Sequence, residues 1–294
     1  MKRFTLFVVS LLILFSAAVF CQGNLSLAKD LFNQKKYSES KTILQKIIND
    51  NKNEAEAHYL LSKIYYIENN IDDAVESAEN SVDLKKANAE YHYWLGACYG
   101  RDAQNASIFR QPFLASKTKN EFLKATELDP SHIKAHSALG QYYLRAPSIM
   151  GGSTDKAIEQ ANILIKLDEI QSKLLYISIY AEQKKMDRVS DEYNSLEKLI
   201  GNNKEYFSFY NLYGYFLLNQ GKIDEAIEKF KKQVELVPEN ANAHDSLGEG
   251  LLKKGLLKES LAEYKIALQL DPKLTSSKNK IDEINKLIAN KGGK

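Results

Sequence analysis

Residues 207–240 read FSFYNLYGYFLLNQGKIDEAIEKFKKQVELVPEN, and residues 241–274 read ANAHDSLGEGLLKKGLLKESLAEYKIALQLDPKL. Laid over one another they coincide at Tyr213-Gly214 with Leu247-Gly248, Gly221 with Gly255, Phe230 with Tyr264, and Pro238 with Pro272. The step is 34 residues, and a fixed period of that length marks an array of two-helix units rather than one globular core. The frame extends upstream, where Leu61, Tyr65, Ala74 and Ala78 stand in phase with Leu95, Gly96 and Tyr99.

The spacing has a physical reason. Positions 4, 7, 8 and 11 of each unit fall on one face of a first helix A, and positions 20, 24 and 27 on one face of a second helix B. Small residues at 8 and 20 let the two helices approach closely. Pro at 32 stops helix B before the next unit, because the residue before proline is pushed out of the α region.

These units resemble the tetratricopeptide repeat family, whose pattern they follow over nearly the whole chain. The resemblance implies an all-α, right-handed solenoid of antiparallel helix pairs. We place its units at about 22–54, 55–88, 89–132, 133–169, 170–206, 207–240 and 241–274. The fifth, holding Tyr180, Met186, Val189, Tyr193 and Leu196 without the glycine, is the weakest. Residues 275–291 then carry an apolar stripe of Ile281, Ile284, Leu287 and Ile288 with a charged opposite face. Such a helix covers the exposed end of an open array, so it reads as a cap, with Thr275 to Ser277 offering N-cap oxygens.

The first 21 residues read as a signal peptide. Lys2 and Arg3 precede an apolar run from Phe7 to Phe20, which is shorter than the ~20 residues a membrane span requires and ends at polar Gln22. This predicts an exported protein, periplasmic or secreted. Lipidation of Cys21, the alternative that would make it an outer-membrane lipoprotein, is disfavoured because Phe20 precedes the cysteine where a small residue belongs. The formal charge of +2 falls to zero once Lys2 and Arg3 leave, since no acid lies among residues 1–21. A neutral chain of interspersed signs gives no reason to expect a nucleic-acid partner. Of the two cysteines, only Cys98 then remains; it sits between Leu95 and Tyr99 as a small buried apolar residue.

No catalytic or cofactor signature stands out: there is no G-x-S-x-G, phosphate loop or H-E-x-x-H. The five histidines do not suggest a metal site either. His58, His92, His136 and His244 all occupy position 4 of different units, stacked about 10 Å apart, whereas metal bonds are about 2 Å long. They read as semi-polar wedges between helices, and His132 as a lone turn residue.

The family resemblance implies a concave groove lined by positions 2, 5, 9, 12 and 13 of each helix A. The groove candidates on that basis are Tyr59, Lys63, Tyr66, Tyr93, Arg101, Gln141, Arg145, Asn211 and Tyr215. Tyr at such positions suits a protein or peptide partner, since it buries area at small entropic cost; coverage by neighbouring helices is the competing reading for the same residues. No unit has the Lys at 5 and Asn at 9 with which some family members grip chaperone C-termini.

Two adjacent units break the period at the same place, the turn between helices A and B. Residues 101–117 hold ten residues more than the family turn, and the turn at 146–154 has an excess of five. Equivalent turns line up along one rim of a solenoid, so the two insertions are expected to meet, and insertions on one edge are often where a partner is gripped. In the first, Pro112 suits the first turn of a lengthened helix B, with Arg101 and Arg110 placed for contacts across a short ordered bridge over 103–111. In the second, Arg145, Gly151, Gly152, Ser153 and Thr154 form a candidate anion site at a helix N-terminus, although glycines that simply make the turn explain the same residues. The sequence therefore points to a non-enzymatic interaction scaffold. A small-anion binding module and a lipid-anchored envelope assembly factor are the alternatives.

Overall fold

The structure, a computed structural model, describes residues 23–292. The segment read as a signal peptide, residues 1–21 with Cys21, lies outside them. The described chain is helical throughout, with no strand among the described residues. Helix α1 includes residues 23–33, followed by α2 (Tyr37–Asp50), α3 (Ala55–Ile67), α4 (Ile71–Leu84), α5 (Ala89–Asn105), α6 (Gln111–Leu128), α7 (Ile133–Arg145), α8 (Thr154–Leu167), α9 (Glu169–Glu182), α10 (Met186–Ile200), α11 (Phe207–Asn219), α12 (Ile223–Leu236), α13 (Ala241–Lys254), α14 (Leu257–Leu270) and α15 (Thr275–Gly292). Single 3₁₀ turns occur at Ser148–Met150 and Lys204–Tyr206. The described chain divides into two compact units, which part between Glu192 and Tyr193.

Within each unit the helices pack as antiparallel pairs on short turns: α3 on α4, α5 on α6 and α7 on α8 in the first, α11 on α12 and α13 on α14 in the second. The fold is an all-α solenoid. Close approach is enforced at positions 8 and 20. Gly214 faces the fully buried Phe230 ring, Gly96 faces Phe122, and Gly248 faces Tyr264. Where serine replaces one of the small residues it adds a bond across the pair. Ser40 Oγ donates to the Ala28 carbonyl (2.8 Å), Ser62 Oγ to that of Ala74 (2.7 Å) and Ser260 Oγ to that of Gly248 (2.7 Å).

The position-4 histidines are wedges in a repeated way. The Nε2 atoms of His58, His92, His136 and His244 each lie 2.9–3.1 Å from the carbonyl oxygen six residues earlier, at the end of the preceding turn. The Nδ1 atoms of His92, His136 and His244 reach Glu121, Gln160 and Glu263 on the partner helix B. In His92 both ring nitrogens therefore face acceptors, and the Glu121 carboxylate raises its pKa above the ordinary 6.5 against the opposing effect of burial.

Two local expectations need correction. His132 is not a lone turn residue. It is the N-cap of α7, its Nδ1 accepting from the Ala135 N–H (3.1 Å) while Nε2 lies 3.1 Å from Glu90 Oε2. Helix α15 begins at Thr275, so Ser276 and Ser277 stand inside its first turn. They donate to Asp245 of α13 instead of capping α15. The cap packs on α14 through the fully buried Ile284.

Candidate binding site

Both irregular turns lie in the first unit. Helices α3 and α4 hold 13 and 14 residues, whereas α5 and α6 hold 17 and 18. Most of the ten extra residues thus lengthen the two helices by about one turn each, leaving only 106–110 as the connection. Pro112 falls in the first turn of α6, where its missing N–H costs nothing. Arg110 Nη2 donates back to Asp102 Oδ2 at 3.2 Å, which fixes the bridge.

The other turn is closed by its own backbone. The amides of Met150 and Gly152 donate to the Pro147 carbonyl, that of Gly151 to Ser148 and that of Ser153 to Tyr143. Ser153 Oγ caps α8 by accepting from Lys156 N–H (3.3 Å). Gly151 has a positive φ of 91°, and a Cβ on Gly152 would stand 1.7 Å from the Ala146 carbonyl oxygen, so both glycines are required by the turn itself. The amides of Gly151, Gly152 and Ser153 are thus engaged within the turn, while that of Thr154, the first residue of α8, is not among the bonded ones. Tyr142 Oη ties the turn to α7 by donating to the Met150 carbonyl (2.8 Å).

The two turns come together. The 148–150 turn packs against α6, and between them lies a cavity of about 510 Å³. Four groove candidates line it: Tyr66, Arg101, Gln141 and Arg145. Its walls add apolar Ala97, Ala103, Phe122, Pro147 and Met150 with the polar Gln104, Gln111 and Thr118, and no acid is among the lining residues. Arg145 makes no ion pair among the described residues. Arg101 meets only neutral amides, Gln104 Oε1 at 3.3 Å and Asn69 Oδ1 at 3.4 Å. Gln141 donates through Nε2 to Ser178 Oγ (3.2 Å), but its buried Oε1 has no partner.

The other candidates stand elsewhere. Tyr59 is buried: its ring stacks on Tyr91 (4.9 Å) and its hydroxyl donates to Glu90 Oε1 (2.7 Å). Lys63 lies over the Tyr59, Trp94 and Phe32 rings and donates to the Tyr59 hydroxyl (3.0 Å); burial lowers its pKa. Tyr93 lies between Phe122 and His132, beside Lys134 and Gln171. In the second unit, Asn211 Nδ2 donates to Ser246 Oγ (2.6 Å) and Tyr215 Oη to Glu249 Oε2 (2.9 Å), with burial pushing Tyr215 up to about 12. Sequence reasoning missed Trp94, the single tryptophan, whose indole N–H donates to Ser62 Oγ (2.8 Å) and whose ring packs on Tyr66 (5.1 Å). A serine at position 8, where most units carry glycine or alanine, was the available signal.

No three His, Cys, Asp or Glu side chains among the described residues are grouped to hold a metal ion, and no described helix is long and apolar enough to cross a membrane.

The repeat geometry agrees with the comparisons. Tetratricopeptide repeat family models match residues 55–88 and 214–274. Over those residues the chain carries tetratricopeptide repeats. Tetratricopeptide repeat protein 37 of Xenopus laevis is 24% identical over 236 residues, covering 80% of this chain and 14% of that protein. Superkiller complex protein 3 of Homo sapiens is 22% identical over 258 residues, 87% of this chain and 16% of that one. The chain thus spans about one seventh of the length of these relatives. Among solved structures, a tetratricopeptide repeat protein from Parabacteroides merdae superposes with a TM-score of 0.62 at 12% identity, covering 90% of this chain and 98% of that one. The C-terminal part of a repeat protein from Cytophaga hutchinsonii gives 0.50 at 16%, covering 87% and 99%. At such identities these likenesses show the fold alone. Repeats of this family generally mediate protein–protein interaction.

Proposed function

We propose that this protein is a non-enzymatic scaffold that holds an extended segment of a partner protein, and that the seat is the cavity between α5, α6, α7 and the 146–152 turn. The observation that carries the reading is an acid-free cavity with two uncompensated arginines on otherwise largely apolar walls. Arginine presents a planar fork that suits a carboxylate. A segment with an acidic group next to apolar side chains satisfies both the arginines and the apolar walls. The Lys2-Arg3 start and the apolar run to Phe20 support an exported location for this role.

The test is selection of a displayed peptide library on the chain from residue 22 onward. Enrichment of acidic–apolar peptides, with binding lost in an Arg101→Glu, Arg145→Glu double variant of unchanged melting temperature, is the expected outcome. Equal binding by the variant, or no enriched class, would remove the proposal.

A further inference from the structure

The two irregular turns carry a second feature outside the cavity. Ile149 and Phe109 are 92% exposed, Ile108 74% and Phe113 63%. Every other exposed large apolar side chain among the described residues lies between 38% and 55%. The four most exposed therefore sit on neighbouring turns at one edge. They also project. One extra turn in each of α5 and α6 carries the 106–110 connection about 5–6 Å past where the shorter pairs turn back.

Cations surround these tips. Residues 101–119 contain four basic side chains (Arg101, Arg110, Lys117, Lys119) and one acid, Asp102, which is paired with Arg110; Lys117 is paired with Glu79 of α4 at 3.3 Å, so the stretch stays net positive with that acid counted. Residues 145–156 contain Arg145 and Lys156 against Asp155. Lys119 spans the two turns, its Nζ lying against Gly151. Lys117 Nζ stands 5.1 Å over the Phe113 ring. The edge is therefore basic in a chain whose total formal charge is only +2.

We propose that this edge docks on an anionic lipid surface, with Ile108, Phe109, Phe113 and Ile149 entering the interfacial layer and the surrounding Lys and Arg meeting the headgroups. A protein partner would need a separate pocket for each separated, convex tip. A lipid interface receives protruding apolar groups to a depth of about 5–10 Å without a matching shape. Each cation held near such a surface adds attraction that salt weakens. The tips do not line the cavity, so this proposal and the peptide reading stand or fall apart.

The experiment is vesicle co-sedimentation of the chain from residue 22 onward, which holds every described helix and lacks the apolar run at 7–20. Vesicles are phosphatidylcholine alone or phosphatidylcholine mixed with phosphatidylglycerol. We expect partitioning into the mixed vesicles, reduced by added salt, and about tenfold weaker for an Ile108→Ser, Phe109→Ser, Ile149→Ser variant. These side chains are exposed, so the variant keeps its melting temperature. An Arg110→Gln, Lys119→Gln variant should lose the preference for the anionic vesicles. Absence of wild-type partitioning, or equal partitioning by the triple variant, overturns the proposal. So does wild-type self-association that the triple variant abolishes, since the edge would then join copies of this chain.

Discussion

Gly214 and Gly248 occupy the same position in consecutive repeats of one unit, yet adding a methyl group to each should have unequal consequences. A Cβ on Gly214 would lie 2.4 Å from Phe230 Cε1, with two further ring atoms at 2.7 and 2.8 Å. Phe230 is fully buried, so its ring has nowhere to retreat. A Cβ on Gly248 would meet three Tyr264 ring atoms at 3.2 Å, a deficit of a few tenths of an ångström. Replacing glycine by alanine inside a helix gains about 1 kcal/mol of propensity, while overpacking a tight core costs about 1–3 kcal/mol. At Gly214 the steric cost wins, and Gly214→Ala should destabilise by up to about 2 kcal/mol. At Gly248 the two effects nearly cancel, and Gly248→Ala should fall within about 0.5 kcal/mol of the parent. Urea unfolding followed by circular dichroism gives the ranking. Midpoints are compared rather than extrapolated free energies, because repeat arrays need not unfold in one step. If Gly248→Ala proves the more damaging, or the two are equally harmless, the close-packing argument for this position fails.

Three further outcomes follow from single residues. Lys184 holds a left-handed backbone (φ 58°) at the turn position that Gly221 and Gly255 fill in later repeats, so Lys184→Gly should stabilise by about 0.5–1 kcal/mol after glycine's entropic cost is subtracted and so raise the thermal midpoint; a lower midpoint counts against it. The raised pKa of His92 means that its pairing with Glu121 stabilises fully below the ordinary 6.5 and fades as pH climbs through the folded-state value. The melting-temperature loss in His92→Gln should therefore be larger at about pH 5.5 than at about pH 9, and a pH-independent loss would contradict it. The Cys98 thiol is fully buried, with burial pushing its pKa up to about 12, so thiol reagents should label it at neutral pH only after denaturation; rapid labelling of the native protein would show that this core opens.

The repeat was legible because it rests on contacts within and between adjacent helices at fixed spacing. Gly96, Gly214 and Gly248 must be small wherever a ring from helix B faces them, and a period reveals that without coordinates. The site was legible only in part. Arg101 and Arg145 were singled out from family positions in separate units, and whether they share a cavity depends on how far the irregular turns carry α6 toward the 148–150 turn. Tyr59 shows the limit from the other side. Position alone puts it in an open groove, but Tyr91 stacks on its ring and Glu90 accepts from its hydroxyl, both from the following repeat. The size and reach of those neighbours decide its exposure. His132 illustrates a further gap, because a histidine that caps α7 has the same one-letter code as one that wedges two helices.

A solenoid can lengthen one turn without disturbing the stacking of its repeats, because the added residues extend a single helix pair outward, here as about one extra turn on each of α5 and α6. Here the lengthening was not neutral in composition. An insertion serving only as a spacer would be polar, since exposing a large apolar side chain forgoes the burial that favours folding. Phe109 and Ile149 stand almost wholly in solvent and Ile108 mostly so, while Gly152 and the four backbone bonds of the 147–153 turn fix the loop of Ile149, and the Ser107 carbonyl, accepting from the Arg110 and Gln111 amides, fixes that of Ile108 and Phe109. Rigid presentation of apolar groups costs solubility and returns nothing to the stability of the repeats. That combination supports the proposal that the two irregular turns make contact with something outside the chain.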